Sequence, residues 1–363
     1  MASVKVRPGY GYEVRYIDPA TGKRPSKTFR LKKDADAFRR KVEREIEDGL
    51  HTAASETKTV GDAADEFIEW NRGRERDGRI GYGRFYALEN VVRVHIKPAL
   101  GGLLFTDLTA LHVERFYEAQ AAKWSPTGAR KKVCEFKLIE EFAMKRGYTK
   151  RAVTPEALKS LRGIPPVKIK TFSPEQATKL LSQSKIYTGR SDFLVRPQMF
   201  MACAIHLAAF SGLRRGEIMG LTLDHIDLDT GVFRIRHSLT AWDELKGPKT
   251  MAGNRDVPVP AVVCDMIRAW LARYYVENDR RLIFRSATGG LIAVADFQHR
   301  YWALLKRAGL HSNEDQFHFH ALRHFAASWM IHHGLPLTDV ASLLGHSKFD
   351  MTLQVYALSL IHI

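Results

Sequence analysis

The chain has 363 residues, too many for one ordinary hydrophobic core and enough for two or three domains. Its 56 Lys or Arg against 40 Asp or Glu give a formal charge of +16, which favours a polyanionic partner, with nucleic acid the commonest and an anionic membrane surface the rival. No apolar run approaches the roughly 18 to 20 residues that span a bilayer and no charged-then-apolar leader opens the chain, so a cytoplasmic protein is expected.

Residues 10–17, Tyr-Gly-Tyr-Glu-Val-Arg-Tyr-Ile, alternate aromatic or apolar with polar side chains. Asp18-Pro-Ala-Thr-Gly22 supplies a turn and Lys27-Thr-Phe-Arg-Leu31 a return strand, which predicts a short antiparallel hairpin. A helix from Lys33 to Asp48 follows, with Ala37, Phe38, Val42 and Ile46 at roughly helical spacing and Gly49 as its stop. These first fifty residues hold 13 Lys or Arg against 8 Asp or Glu, a basic surplus of five. From Thr57 to about Lys150 the pattern is helical, clearest over Val60–Trp70 and Leu108–Ala122, with Thr109 a plausible N-cap for the second stretch. Between them Arg72, Arg74, Arg76, Arg79, Arg84 and Arg93 interleave with Tyr82, Phe85, Tyr86 and His95. Arginines suit phosphates and aromatics suit sugars or bases, while a solvated face of a helical bundle explains the same residues without a ligand. Cys134, Cys203 and Cys264 are scattered and build neither a disulfide framework nor C-x-x-C spacing; Cys203 and Cys264 read as buried structural thiols.

Arg162-Gly-Ile-Pro-Pro-Val-Lys-Ile-Lys170 contains two prolines and no helix-compatible run, and reads as a linker. Ser173-Pro-Glu-Gln176 then has the capping-box pattern with Pro174 at the first helical position, so a new domain starts there. Met199–Phe210 is nearly all apolar, a buried helix too short for a membrane span, broken by Ser211-Gly212. Arg214 opens the next helix; its guanidinium can hold two nonbridging phosphate oxygens at once, and a structural salt bridge to Glu217 is the alternative. Gly231–His237 alternates as a strand and Asn254–Pro260 resembles its return partner, with Lys249 in the connection and Lys246 a rival three residues away. In Phe317-His-Phe-His320-Ala-Leu-Arg323-His324, His320 and Arg323 share one helix face. The four-residue spacing of His320 and His324 also suits a metal, but neither an H-E-x-x-H pattern nor a Cys partner accompanies it, so no metal is expected. Leu337–Leu344 reads as a short helix with Gly345 as its stop, turning His346 toward the same place. Tyr356 follows ten residues later. It is either a core tyrosine beside Met351, Leu353 and Val355 or a nucleophile, and a phenol with a pKa near 10 needs neighbours that take its proton and neutralise its target.

Read in order, Ser211-Gly-Leu-Arg214-x-x-Glu217, Pro248-Lys-Thr250, His320-x-x-Arg323, Leu344-Gly-His346 and Tyr356 resemble the tyrosine recombinases, the phage integrase family. The specific motifs cover residues 173–356, and the likeness is looser before them. The resemblance implies a multidomain, mainly α fold with α+β parts. Residues 1–55 would form a small arm-DNA-binding domain of hairpin and helix, 56–155 a helical core-binding domain, 156–172 a linker, and 173–363 a mixed α+β catalytic domain. The implied catalytic set is Arg214, Lys249, His320, Arg323, His346 and Tyr356. In it Tyr356 attacks a DNA phosphate, Lys249 protonates the departing 5′ oxygen, His320 is a hydrogen-bond donor or proton acceptor for the tyrosine, and Arg214, Arg323 and His346 hold the nonbridging oxygens. The implied partners are double-stranded DNA, further copies of the chain in a homotetramer on two duplexes, and accessory DNA-bending or directionality proteins, with no cofactor and no membrane.

Three departures from the family pattern stand out. Ser211 sits where threonine is common, Ala357 and Leu358 stand where a histidine is frequent, and only seven residues, Ala357–Ile363, follow Tyr356 where many family members continue; they read as an edge strand, in cis or on a partner, or as a truncated or foreign end. Two other outcomes fit the same scaffold, relaxation of one strand by a type IB topoisomerase-like reaction and non-catalytic DNA binding by a regulator. The N-terminal hairpin speaks against the first, and the complete set of site residues against the second.

Overall fold

The computed structural model describes residues 2–19, 21–52, 56–161, 170–247, 253–311 and 317–345. The chain divides into two compact units, 1–167 and 168–363.

In the first unit, strands β1 (Ser3–Arg7), β2 (Gly11–Arg15) and β3 (Ser26–Phe29) form an antiparallel sheet in that order, with Val4 opposite Val14 and Tyr12 opposite Phe29. The expected hairpin is β2 and β3, and the added β1 makes it a three-stranded meander. Ser-Val-Lys-Val-Arg does alternate, but it is largely exposed and, unlike β2 and β3, carries no aromatic residue to advertise it. Helix α1 (Lys32–Glu47) lies on the sheet, burying Ala35 and Val42, the latter in a small apolar cluster with Ala2 and Tyr16.

The helical remainder comprises α2 (Val60–Arg76), α3 (Tyr82–Val91), α4 (Lys97–Leu100), α5 (Ala110–Ala121), α6 (Pro126–Lys145) and α7 (Thr154–Ser160), with a π-helical turn over Val92–Ile96 between α3 and α4. Local chemistry starts these helices. Thr59 Oγ1 accepts from the Asp62 N–H at 3.1 Å, and Ser125 Oγ accepts from the Gly128 N–H at 3.2 Å with Pro126 in the first turn. Thr109 caps α5 as expected, its own N–H donating to His112 Nδ1 at 3.2 Å. The buried Glu140 carboxylate accepts from the Val153 and Thr154 N–H groups at 2.7 and 3.1 Å, capping α7; burial pushes its pKa up and those bonds oppose the push. A second apolar cluster, with Phe67, Ile96, Val113, Phe136 and Ile139, lies among these helices. Lys41 Nζ ties α1 to this part by donating to Thr106 O at 2.8 Å. The expected boundary at 55–56 thus falls inside the first unit, between its two apolar clusters.

The second unit opens with α8 (Pro174–Ser184) on the expected capping box: the Gln176 N–H donates to Ser173 Oγ at 3.2 Å, and the Ser173 N–H donates to Gln176 Oε1 at 2.9 Å. Residues 162–169 of the expected linker lie outside the described residues. Helix α9 (Asp192–Ser211) is the spine, packed against α8 and against α10 (Arg215–Met219), α11 (Ala261–Tyr274), α12 (Val294–Arg307) and α13 (Ala321–His332). It starts at Asp192 rather than Met199, which makes it long and apolar enough to cross a membrane by length and composition. Yet 67% of its most apolar stretch is buried inside the protein, as in a core helix.

Strands β4 (Ile226–Asp227), β5 (Val232–Ile235), β6 (Ser238–Leu239), β7 (Leu245–Lys246) and β8 (Arg255–Pro258) form two small antiparallel sheets, β4-β5-β8 and β6-β7. The expected pair is β5 with β8, Ile235 lying opposite Arg255. The β6-β7 hairpin in their connection was not expected, since two-residue strands carry no readable periodicity. Trp270, Phe200, Phe284 and Phe297 fill the core, and Trp270 Nε1 donates to Ile283 O at 2.7 Å. Cys203 and Cys264 are buried as expected, and burial pushes the Cys203 thiol up to about 12, so it holds its proton. Helix α14 (Leu337–Leu344) packs on α13.

Candidate active site

Helix α14 stops where the sequence predicts, at Gly345 with φ 67°, and the Gly345 N–H closes back on the Ala341 and Ser342 carbonyls. The carbonyls that follow have no partner inside the helix. Each is met by an arginine: Arg255 Nε donates to Leu343 O, Arg323 Nη2 to Leu344 O, and Arg214 Nη2 to Gly345 O at 3.3 Å. Guanidinium groups from three separate elements therefore converge on the negative end of one helix.

Local sequence explains the convergence. Helix α9 ends at Gly212 in the left-handed conformation (φ 63°), and a Cβ there would stand 2.3 Å from Leu344 Cδ2. Glycine takes this left-handed backbone without steric cost, and its missing Cβ leaves the room that the Leu344 side chain fills. Arg323, in the first turn of α13 and 2% exposed, joins the two helix ends by donating from Nη1 to Gly212 O at 2.7 Å as well as from Nη2 to Leu344 O. Arg214 is the N-cap residue of α10, held just past the α9 stop. Arg255 begins β8 on its inward face, with Val257 the next residue on that side.

One carboxylate organises these charges. Glu217 Oε1 accepts from Arg214 Nη1 at 2.7 Å and Arg255 Nη1 at 3.1 Å, while Oε2 accepts from the Arg214 N–H at 2.9 Å and Arg255 Nη2 at 2.8 Å. Burial alone would raise the Glu217 pKa, but Arg255 and then Arg214 outweigh it and hold the carboxyl at about 2. Burial, with Arg214 nearby, pushes Arg323 down to about 9, so it stays charged at neutral pH. The cluster is net positive, and Arg214 keeps 37% of its side chain in solvent.

His320 is the N-cap residue of α13 and keeps an open side to solvent. Surrounding protein, then the positive charge of His324, Arg323 and Arg214, pushes its pKa down to about 4. At neutral pH it is an uncharged imidazole, able to accept a proton or to donate its one N–H. Its ring lies 4.8 Å from that of His324, nearly perpendicular, and among the described residues no group of three or more side chains could hold a metal ion.

Of the expected residues, Arg214, His320 and Arg323 are thus brought into one electrostatic neighbourhood. Lys249, His346 and Tyr356 lie outside the described residues; His346 is bonded to Gly345, the last carbonyl of the arginine cluster. The alternative offered for Arg214, a salt bridge to Glu217, is present together with that convergence. Sequence reading missed Arg255. The signal was available, because strand alternation puts it on the same face as the buried Val257 and Val259.

The chain matches the family model of the phage integrase family over residues 170–360, more than half its length. The tyrosine recombinase XerC-like protein of Caldanaerobacter subterraneus subsp. tengcongensis is 26% identical over 358 residues, spanning 90% of this chain and 86% of that protein. An integrase of Streptomyces ambofaciens is 28% identical over 363 residues, spanning 94% and 86%. Among solved structures, the Tn1549 transposon integrase in complex with circular intermediate DNA gives a TM-score of 0.66 at 19% identity, covering 82% of this chain and 94% of that one. A lambda integrase tetramer bound to a Holliday junction gives 0.60 at 15% identity, covering 95% of each chain. These structural likenesses speak for the fold, and the expected mainly α, multidomain architecture with an α+β second unit is the one found. On the family match, the chain belongs to the phage integrase family of tyrosine recombinases.

Proposed function

We propose that this protein is a site-specific DNA recombinase that cuts and rejoins strands through a covalent link between Tyr356 and a 3′ phosphate. The observation that carries the reading is the convergence of Arg214 and Arg323 beside a neutral His320, within the stretch matched by the family model. In this reading the Tyr356 oxygen attacks phosphorus as the bond to the 5′ oxygen breaks. The phenol proton passes to His320, and Lys249 supplies one to the departing oxygen. Arg214 and Arg323, with His346, stabilise the added charge on the nonbridging oxygens. One phosphodiester is exchanged for another, so the bond energy is kept for rejoining.

The relatives support the wider setting. A Tn1549 integrase has been seen with circular intermediate DNA and lambda integrase as a tetramer on a Holliday junction, which favours duplex DNA and four copies of the chain as the working assembly here. The mobile-element names among the relatives favour integration or excision, and their bacterial origin favours action on DNA in the cytoplasm. Within the first unit, the small basic sheet with α1 would contact separate arm sites and α2–α7 the core site, with 173–363 as the catalytic domain.

A nicked duplex that loses its short 3′ fragment after cleavage tests the chemistry. The wild-type protein should form a protein–DNA adduct that survives denaturation, and Tyr356→Phe should form none. Equal adduct from both proteins, or none from the wild type, would overturn the reading.

A further inference from the structure

Arg255 has no role in the reaction as proposed, yet it is buried more deeply than Arg214 or His320. Its guanidinium meets both oxygens of Glu217, at 3.1 and 2.8 Å, and reaches Leu343 O through Nε and Gly253 O through Nη1 at 3.3 Å. Glu217 in turn grips Arg214 by side chain and backbone. One arginine therefore touches the carboxylate that aims Arg214 and the helix end on which Arg214 and Arg323 also rest. Removing such a residue leaves a buried carboxylate with half its partners and an unpaired carbonyl.

We propose that Arg255 is a positioning residue of the strand-cleavage reaction. Through Glu217 it sets the direction of Arg214, and through Leu343 O it fixes the end of α14, the point from which the chain continues to His346. The inference rests on the reading of Arg214, Arg323 and His346 as the phosphate-holding set. Nothing in it requires Arg255 to touch DNA. A lysine would keep the charge beside Glu217 but has one donor point in place of a planar fork, so it cannot span both carboxylate oxygens and Leu343 O together.

The test uses full-length protein and the nicked duplex, with three readings for each variant: thermal unfolding, DNA affinity, and the rate of adduct formation against pH. Arg255→Lys should bind DNA within a fewfold of wild type and form adduct about 10²-fold more slowly, the scale of loss that misplacement by about 1 Å produces. Arg255→Met should show a new acid limb in its rate profile, because Glu217, deprived of its main partner, takes up a proton at a higher pH and releases Arg214. The double variant Glu217→Gln/Arg255→Met leaves no buried carboxylate short of partners, and Arg214, which loses its carboxylate, still has solvent, so it should fold where the single variant does not. It should still be slow, because the tie to Leu343 O is gone, and it should lack the acid limb. A purely structural role would lower the unfolding temperature and leave the rate per folded molecule and its pH profile unchanged. Arg255→Lys or the double variant cleaving at the wild-type rate overturns the inference alone. Absence of adduct from the wild type overturns the recombinase reading beneath it.

Discussion

The exposed ion pairs on the helices of the first unit and the buried cluster at the end of α14 handle charge in opposite ways. In the first, Arg72 pairs with Glu69 at 2.8 Å and Lys97 with Asp65 at 2.7 Å, all four side chains at least 38% exposed. Such pairs cost little to form and contribute little, because water screens both partners. In the second, the Glu217 and Arg255 side chains are 8% and 5% exposed, and Arg323 is 2% exposed. Burying charge is expensive even when it is paired, and apolar residues of the same volume often serve stability as well or better. The contrast teaches where to look: charge kept out of water, against the stability gradient, marks the place where the chain has a use for it.

Five experiments would break or sharpen that contrast. The largest effect is expected on chemistry, at the buried cluster and at Lys249. Arg214→Ala should slow adduct formation by about 10²–10³-fold, the scale for losing one preorganised donor to a developing charge, while Arg72→Ala should leave the rate unchanged. Lys249→Ala should lose about 10²–10⁴-fold on ordinary DNA, as for a missing general acid. It should recover most of that on a substrate whose bridging 5′ oxygen is replaced by sulfur, since a thiolate leaves without being protonated. No recovery would remove Lys249 from the proton-donor role.

The next effect is on stability, read by urea unfolding. Arg255→Met should cost about 3–5 kcal/mol because it takes the main partner from a buried carboxylate, and adding Glu217→Gln should restore part of the loss. Lys97→Met in the first unit should cost under about 1 kcal/mol. If the two sites proved equally sensitive, burial would not be what separates them.

A pH series sharpens the same point. His206, 1% exposed on α9, has its pKa pushed down to about 4 by burial, while its Nδ1 lies 2.8 Å from Ala202 O. The unfolded chain takes up this proton from about pH 6.5 downward and the folded chain only near 4, so the contribution of neutral His206 is fully present above 6.5 and lost between 6.5 and 4. His320 acts in the same direction, less strongly because it is open to solvent. The unfolding temperature should therefore fall on acidification through this window, and His206→Gln should flatten the fall.

The smallest effect belongs to the exposed arginines of the first unit. Arg93→Ala, on the π-helical turn, should weaken DNA binding severalfold and lower the log–log salt slope by about one, with no change in the rate of cleavage by bound protein.

Much of this was legible in the chain before any coordinates. The capping box at Ser173, the Thr109 cap, the glycine stops at 212 and 345 and the β5-β8 pair follow from local rules, because each depends on residues a few positions apart. Strand β1 and the β6-β7 hairpin did not, since an outer strand and two-residue strands bury too little to leave a pattern. The candidate site divides the same way. Arg214, His320 and Arg323 could be picked from motifs, but their meeting at the end of α14 joins residues more than a hundred positions apart, such as Arg214 with Gly345. Arg255 shows the remaining gap: its inward register was visible, whereas its partner Glu217 lay 38 residues away on another element.

The most direct measurement is the identity of the atom that carries the DNA. After reaction with the nicked duplex, nuclease and protease digestion and mass spectrometry of the modified peptide should place a 3′-linked nucleotide on Tyr356. Attachment to any other residue, linkage through a 5′ phosphate, or an unmodified peptide under conditions where the DNA is cut would contradict the mechanism proposed here.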